Sequence, residues 1–504
     1  MNARGPHQQR AVTAPLRRSA RRFGLWILLV TWFAIGLWNA TKPMPPGTEI
    51  GSEFTPAPLE EIAFLADLTF RNGDQEPMRE QEIFDEIFRI VDGARSFLVL
   101  DFFLVNDHRG AAREVHRELS RELVERLIER RRERPELDVL LITDPINTIY
   151  GGEPLEHLAD LQAAGVEVVT TKLTRLRDPN PAYSALWRTF VQWWGNSTEG
   201  GWLPNPFETG PSKITLRSWL ALLNFKANHR KVVVADRADG EWVALVTSGN
   251  PHDASSAHSN VALRFTGELA ARVLTSELEI AEFSGWPGRL DTGPPPDAAR
   301  GAPETFAQLK YVTEGEIRRA LLAAIARTTA GEQIRIATFY LSERRVIESL
   351  LEASRRGVDV QVILDPNKDA FGRTKDGIPN RPVAAELVRD SDRAIAVRWY
   401  RTQGEQFHTK LAIVTGPDRV FASLGSANLT RRNIGNYNLE ANVVIDAASD
   451  SPVARDIVEY FERLWNNDRS AGIVYTDPFE RWEDPSRLRY WRYRLMEATG
   501  FSTF

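Results

Sequence analysis

The chain has 504 residues, of which 42% are hydrophobic and 26% charged, an ordinary globular balance with room for two to four domains or for two lobes of one larger unit. It contains no cysteine, which excludes disulfides, thiolate metal sites and cysteine nucleophiles and is compatible with an oxidising compartment. The formal net charge is −5, but residues 1–22 hold six arginines and no acid, so the rest carries −11; a body that acidic argues against nucleic acid as the partner, which needs a basic face.

After the basic tail, residues 23–40 read FGLWILLVTWFAIGLWNA, without a charge. A span of roughly 17–25 apolar residues crosses a bilayer as a helix. Arginines crowd its front and only Lys42 closely follows it, so the positive-inside rule puts the N-terminus in the cytoplasm. The expected location is therefore the inner membrane, single-pass, with everything after about residue 42 on the periplasmic or extracytoplasmic side. A cleaved signal peptide is the rival reading. Bulky Trp38 makes Trp38-Asn39-Ala40 a poor small-x-small cleavage site, which favours an uncleaved anchor. Residues 41–59, opening with Lys42-Pro43-Met44-Pro45-Pro46-Gly47, read as a linker.

Residues 60–288 form the first expected lobe. Ile83, Phe84, Ile87, Phe88 and Val91 recur at helical spacing, and 97–104 follows as a buried strand. A charged amphipathic helix over about 111–134 leads to a strand from Val139 that ends at Asp144-Pro145. A helix over 155–164 then feeds a third strand, 166–170. Strand–helix–strand order predicts parallel strands covered by helices. Between about 172 and 226 the pattern breaks into a Trp- and Pro-rich insert. Leu186, Trp187, Phe190, Trp193 and Trp194 suit one aromatic face of a short helix there. The insert is read either as a packed subdomain or as a hydrophobic lid or membrane-facing platform.

Residues 289–303, with Gly293-Pro294-Pro295-Pro296, read as a second linker. Residues 304–475 then repeat the first lobe: a helix with Ile317, Leu321 and Ile325, a strand over 334–341, a helix with Val346 and Leu350, and a strand over 358–364 ending at Asp365-Pro366. A strand over 394–399 corresponds to 166–170. The lobes are divergent duplicates, with the insert in the first alone. The tail, 476–504, alternates basic and aromatic residues over Arg487–Leu495, either as a helix packed on the body or as a surface for anionic headgroups.

Each lobe carries a histidine and a lysine two residues apart at the start of a β-type run: Asn228-His229-Arg230-Lys231 before Val232–Val234, and Phe407-His408-Thr409-Lys410 before Leu411–Val414. Residues i and i+2 of a strand face the same way. Small-residue turns follow, Ser248-Gly249-Asn250 and Gly425-Ser426-Ala427-Asn428. Face to face across a pseudo-twofold axis, the two copies supply two imidazoles and two positive charges, with Asn250, Asn428 and Ser426 as phosphate-binding candidates. That set suits a phosphodiester: one histidine attacks phosphorus, the other serves as acid and base, and the lysines neutralise the transition state. A metal held by the two histidines is the alternative, disfavoured because the lysines repel a cation. No metal and no cofactor are expected. His252 and His258 follow Asn250 closely enough to line the rim.

His229-x-Lys231 with Asp236, and His408-x-Lys410 with Gly425-Ser426-Ala427-Asn428, resemble the paired His-x-Lys-x4-Asp motifs of the phospholipase D superfamily, and the Asn-His-Arg-Lys and Gly-Ser-Ala-Asn-Leu forms are especially similar to its cardiolipin synthase branch. The resemblance covers roughly residues 60–470, outside the anchor and the insert. It implies an α/β fold of two duplicated lobes forming one pseudo-twofold catalytic sandwich, here preceded by a transmembrane helix. It also implies His229 as nucleophile, His408 as general acid and base, and Asp236 and Glu440 as orienting acids. The chain departs from the pattern in three places: Thr415 occupies the second motif's acidic position, Thr430-Arg431-Arg432-Asn433 replaces Asp-x-Arg-Ser, and Ser259-Asn260 lies where the first lobe's counterpart of Glu440 belongs.

The expected activity is phosphatidyl transfer to an alcohol, or hydrolysis by water, of a phospholipid at the membrane. Two other readings stay open: an extracytoplasmic nuclease of the same superfamily, and a non-catalytic lipid-binding protein of the same fold.

Overall fold

The computed structural model describes residues 13–110, 116–208, 210–293, 305–370 and 373–504. Most of the basic tail (1–12), most of the second linker (294–303) and the expected start of the amphipathic helix (111–115) lie outside them. From Leu119 that helix runs to Glu133.

Two large sheets carry the molecule. The first orders its strands 77–80, 63–71, 260–266, 242–247, 231–236, 97–102, 138–143 and 167–170. The second orders them 55–58, 306–313, 441–448, 419–425, 410–415, 333–338, 359–364, 395–400 and 476–478. In each, three strands are parallel, as the strand–helix–strand order predicts: 97–102, 138–143 and 167–170, then 333–338, 359–364 and 395–400. The remaining pairings are antiparallel, so the sheets are mixed. The reason is local: Lys231–Asp236 and Trp242–Thr247 are joined by a short turn, which permits only a hairpin.

Alternation along the central strands explains the layers. Val232 and Val234 enter the same core as Leu411 and Ile413, so the two sheets face each other over shared apolar surface. Val233 and Ala235 turn to the other side, onto the helices Ile83–Gly93 and Leu119–Glu133. Ala412 likewise turns to the helices of the second half, such as Arg344–Arg355. The order is helices, sheet, sheet, helices, with both His-x-Lys strands central. Each His-x-Lys strand lies between a parallel-type strand and its hairpin partner: Phe102 is level with Lys231, and Thr338 with Lys410.

The insert differs from the sequence expectation in one respect. Pro181–Leu186 is a helical turn and 187–191 continues as a π-turn. Trp187 is buried, whereas Leu186, Phe190, Trp193 and Trp194 are exposed. At the N-terminus, Thr13–Thr41 is a single helix, and 21–41 is long and apolar enough to cross a membrane.

Candidate active site

The two His-x-Lys segments are stitched to each other. His229 N donates to Leu439 O at 2.9 Å and Leu439 N to Ala227 O at 3.0 Å. In the mirrored position Ser259 N donates to Gln406 O at 3.1 Å. Each histidine thus enters beside the residues that precede the other lobe's orienting position. The matched Asp-Pro pairs complete the frame: Asp144 Oδ2 accepts from Asn228 N at 2.7 Å, and Asp365 Oδ2 accepts from Phe407 N at 2.8 Å. A buried acid therefore fixes the backbone just ahead of each histidine.

Glu440 is fully buried and lies 3.0 Å from Nδ1 of His229. It also accepts from Ser426 Oγ at 2.5 Å and from Asn433 Nδ2, whose own Oδ1 accepts from Thr430 Oγ1 at 2.6 Å. This chain of partners holds the carboxylate as an acceptor and requires Nδ1 of His229 to carry the proton, which leaves the Nε2 lone pair for chemistry. Ser426 spends its hydroxyl here, donating to Glu440 and accepting from Ala441 N at 2.9 Å, so it supports the acid and is not turned to a phosphate. Gly425, at φ 152°, is needed where this turn meets the next strand: a Cβ would stand 2.3 Å from Ala441 O.

His408 has the same arrangement with an amide in place of the acid. Its Nδ1 is 3.1 Å from Asn260 Oδ1, which accepts from Ser248 Oγ at 3.0 Å while Asn260 Nδ2 donates to His258 O at 3.1 Å. Val261 N donates to Ser248 Oγ at 3.0 Å, just as Ala441 N does to Ser426. Asn260 is thus the missing counterpart of Glu440, and its charge is absent. Sequence reasoning saw the position and no acid in it; the contact joins residues 148 apart and has no local signature.

The pseudo-symmetry extends to the walls. Phe103 lies 4.9 Å from the His229 ring and Lys231 Nζ 5.3 Å from Phe103; Phe339 lies 5.3 Å from the His408 ring and Lys410 Nζ 5.8 Å from Phe339. Both lysines are buried, and each donates to the carbonyl of its own histidine, at 2.6 and 2.9 Å. Burial lowers Lys231 to about 7 even though Glu440, Asp101 and Asp144 pull the other way. Lys410 is lowered too, by burial and then by Lys231. Burial brings His229 down to about 4, opposed by Glu440 and aided by Lys231. His408 falls well below the usual histidine range through burial, then Lys410, His258, Lys231 and His229. Burial thus favours neutral imidazoles and makes a positive charge on either lysine costly, a cost that a phosphate diester in the site would relieve.

Of the remaining expected residues, Asn428 is buried with its Oδ1 unpartnered among the described residues, while Asn250 Oδ1 accepts from Leu104 N at 3.3 Å. His258 reaches the site, its ring 5.8 Å from that of His408. Asp236 does not: at the far end of its strand it accepts from the N–H groups of Arg95 and Ser96 at 2.9 Å and of Phe97 at 3.2 Å, fixing the turn into 97–102. In the second half the equivalent turn has its own acid, Glu332, accepting from Thr329 N at 2.6 Å, so Thr415 leaves no turn uncapped. Beneath both halves, fully buried Arg230 spans them, 3.1 Å from Glu277 and 2.7 Å from Glu314, which also accepts from Glu440 N at 3.1 Å.

The fold and the paired His-x-Lys strands define a phospholipase D-like sandwich. Residues 321–465 match the family model described as cardiolipin synthase, PLD-like domain, and over that stretch the chain is similar to that family. Among curated proteins it is similar to cardiolipin synthase A of Salmonella paratyphi B and of Salmonella newport, each 27% identical over 236 residues, 43% of this chain and 44% of the relative. The match spans less than half of those relatives' length. Among solved structures, phosphatidylserine synthase of Haemophilus influenzae shares the fold, with TM-score 0.54 and 12% identity over 89% of this chain and 97% of that one.

Proposed function

We propose that the chain is a membrane-anchored phospholipase D-type enzyme that moves a phosphatidyl group from a phospholipid to an alcohol, as in cardiolipin synthesis, or to water. The lobes 60–288 and 304–475 act as one unit, on the far side of the membrane from the basic N-terminal tail. The supporting observation is buried Glu440 at 3.0 Å from Nδ1 of His229, reached across the boundary between the lobes.

In this reading Nε2 of His229 attacks phosphorus and the bond from phosphorus to the leaving oxygen breaks. That oxygen takes a proton from Nε2 of His408. The phosphohistidine ring is cationic, and Glu440 is its counter-ion. An acceptor alcohol or water then gives its proton to His408 and attacks phosphorus, the P–N bond breaks, and His229 is released. Lys231, Lys410 and Asn428 stabilise charge on the non-bridging oxygens. His408, with only an amide at Nδ1, is kept a strong acid, and the arriving anionic diester raises its affinity for the proton it must deliver.

The test is to incubate the purified full chain with phosphatidylglycerol in mixed micelles, and to quench samples in mildly alkaline denaturant for a phosphatidyl adduct on histidine. Conversion and an adduct in wild type, and neither in His229→Ala with folding intact, support the reading. Absence of both transfer and hydrolysis, or conversion that survives in His229→Ala, overturns it.

A further inference from the structure

The insert lies against the anchor helix. Trp32 Nε1 donates to Ala182 O at 2.9 Å, Asp178 N donates to Asn39 O at 2.9 Å, and Lys42 Nζ donates to Thr174 O at 2.9 Å. A Cβ on Gly36 would stand 3.1 Å from Pro181 O. As the chain advances from Thr174 to Ala182, its partners on the anchor recede from Lys42 to Trp32, so the insert runs back along the last ten residues of the apolar helix. Ten helical residues rise ~15 Å, about half of a ~30 Å hydrocarbon layer. Whatever depth that half of the anchor takes, the insert helix shares.

Past Ala182 the side chains that face outward suit lipid. Leu186, Phe190, Trp193, Trp194 and Trp202 are 46%, 54%, 76%, 48% and 65% exposed. Between Pro179 and Trp202 the sequence has two charged residues, Arg188, whose guanidinium is committed to Asp178 at 2.6 and 2.9 Å, and Glu199, which lies in the exposed bend before Trp202. A second surface joins from the other end of the chain. Gly500 packs on Pro179 O, and Phe501 meets Phe225 with ring centres 5.3 Å apart. The helix Arg487–Thr499 before it exposes Leu488, Trp491 and Leu495 on one face. The insert also ends at the site: Phe225 stands four residues before His229, and Arg432 Nη1, next to Asn433, donates to Phe225 O at 3.3 Å.

We propose that residues 181–202 are a lipid-immersed element, seated in the leaflet at the C-terminal end of the anchor, and that phospholipid enters the site from within that leaflet. The occupant of this face is the bilayer, because the face is continuous with the helix that crosses it; the proposal rests on the anchor in the reading above. The helical part of the insert closes its own backbone hydrogen bonds, Ser184 N to Asn180 O and Gln192 N to Trp187 O at 2.9 Å, and Trp at this level is the side chain a membrane interface favours.

Because the chain has no native cysteine, single substitutions Val30→Cys (anchor), Phe190→Cys, Trp193→Cys and Asp74→Cys (an exposed turn of the first lobe) take an environment-sensitive fluorophore cleanly. Each full-length variant is reconstituted in vesicles of phosphatidylethanolamine and phosphatidylglycerol, with and without nitroxide-bearing lipids. Labels at 190 and 193 are expected to be quenched within about twofold of the label at 30 and at least ~5-fold more than the label at 74. Quenching at 30 with none at 190 and 193 overturns the proposal and leaves the anchor standing. Disulfide pairing of two Trp193→Cys copies without lipid quenching also overturns it, by giving the face to a second copy. No quenching at 30 removes the anchor and the proposal together.

Discussion

Glu440→Gln removes a charge and keeps the shape. Glu440 accepts from His229, Ser426 and Asn433, whereas an amide offers one acceptor and one donor. The exchange is accommodated if Asn433 turns its amide over, because Thr430 Oγ1, its partner at 2.6 Å, both donates and accepts. What disappears is the counter-ion of the proposed phosphohistidine. A hydrogen bond to a charged group is worth roughly 1.5–3 kcal/mol against about 0.5–1.5 for a neutral one, and the buried ring also loses direct charge stabilisation. Together these raise the barrier to the covalent step by ~3 kcal/mol, about a hundredfold in rate. The carboxylate raises the His229 pKa, so its loss moves that pKa further below about 4, and the ring stays neutral at pH 7; protonation of the nucleophile therefore does not explain the decrease. Phosphatidylglycerol turnover by the detergent-solubilised full chain is expected to show kcat down ~10²-fold with KM within about twofold, and less trapped adduct. A kcat within about threefold of wild type, at an unchanged melting temperature, refutes the role given to Glu440.

Asn260→Asp puts a carboxylate 3.1 Å from Nδ1 of His408 and raises its pKa; the alkaline limb of kcat/KM moves up by about a unit or more, and a profile superimposable on wild type contradicts this. Asp236→Ala frees the N–H groups of residues 95–97 and costs about 2 kcal/mol, seen as a lower melting temperature with activity per folded molecule unchanged. Lys231 binds its proton with a pKa of about 7 in the fold against 10.5 ordinarily, so the unfolded chain takes up more protons between these values and the wild type loses stability as pH falls through that window. Lys231→Met abolishes activity and flattens that fall; equal changes in melting temperature between about pH 10 and pH 7 in both proteins count against the assignment.

The duplicated order of elements was legible because the hydrophobic periodicity and the two Asp-Pro pairs are local. The same locality explains what was not. Asp144 and Asp365 were recognised as a matched pair, but their task of holding Asn228 and Phe407 is a long-range contact. Asn260 could be located only as the absence of an acid, and its contact with His408 exists only once the lobes face each other. Ser426 sits in a turn that suits a phosphate, yet its hydroxyl is taken by Glu440 fourteen residues on. Trp187 has the helical spacing of its aromatic neighbours, yet it is buried with the Arg217 guanidinium 5.4 Å from its ring, a contact across the insert that no spacing announces.

The opposed pair of Glu440 and Asn260 has a consequence for how such a site can arise. Two identical lobes associating as a symmetric dimer must carry the same residue on both sides, so that any change suiting the nucleophile is imposed on the acid as well. Joining the lobes in one chain removes that constraint: one copy of the position can keep its carboxylate while the other drifts to an amide. The division of labour proposed for His229 and His408 is thus a property that covalent linkage of the halves makes available.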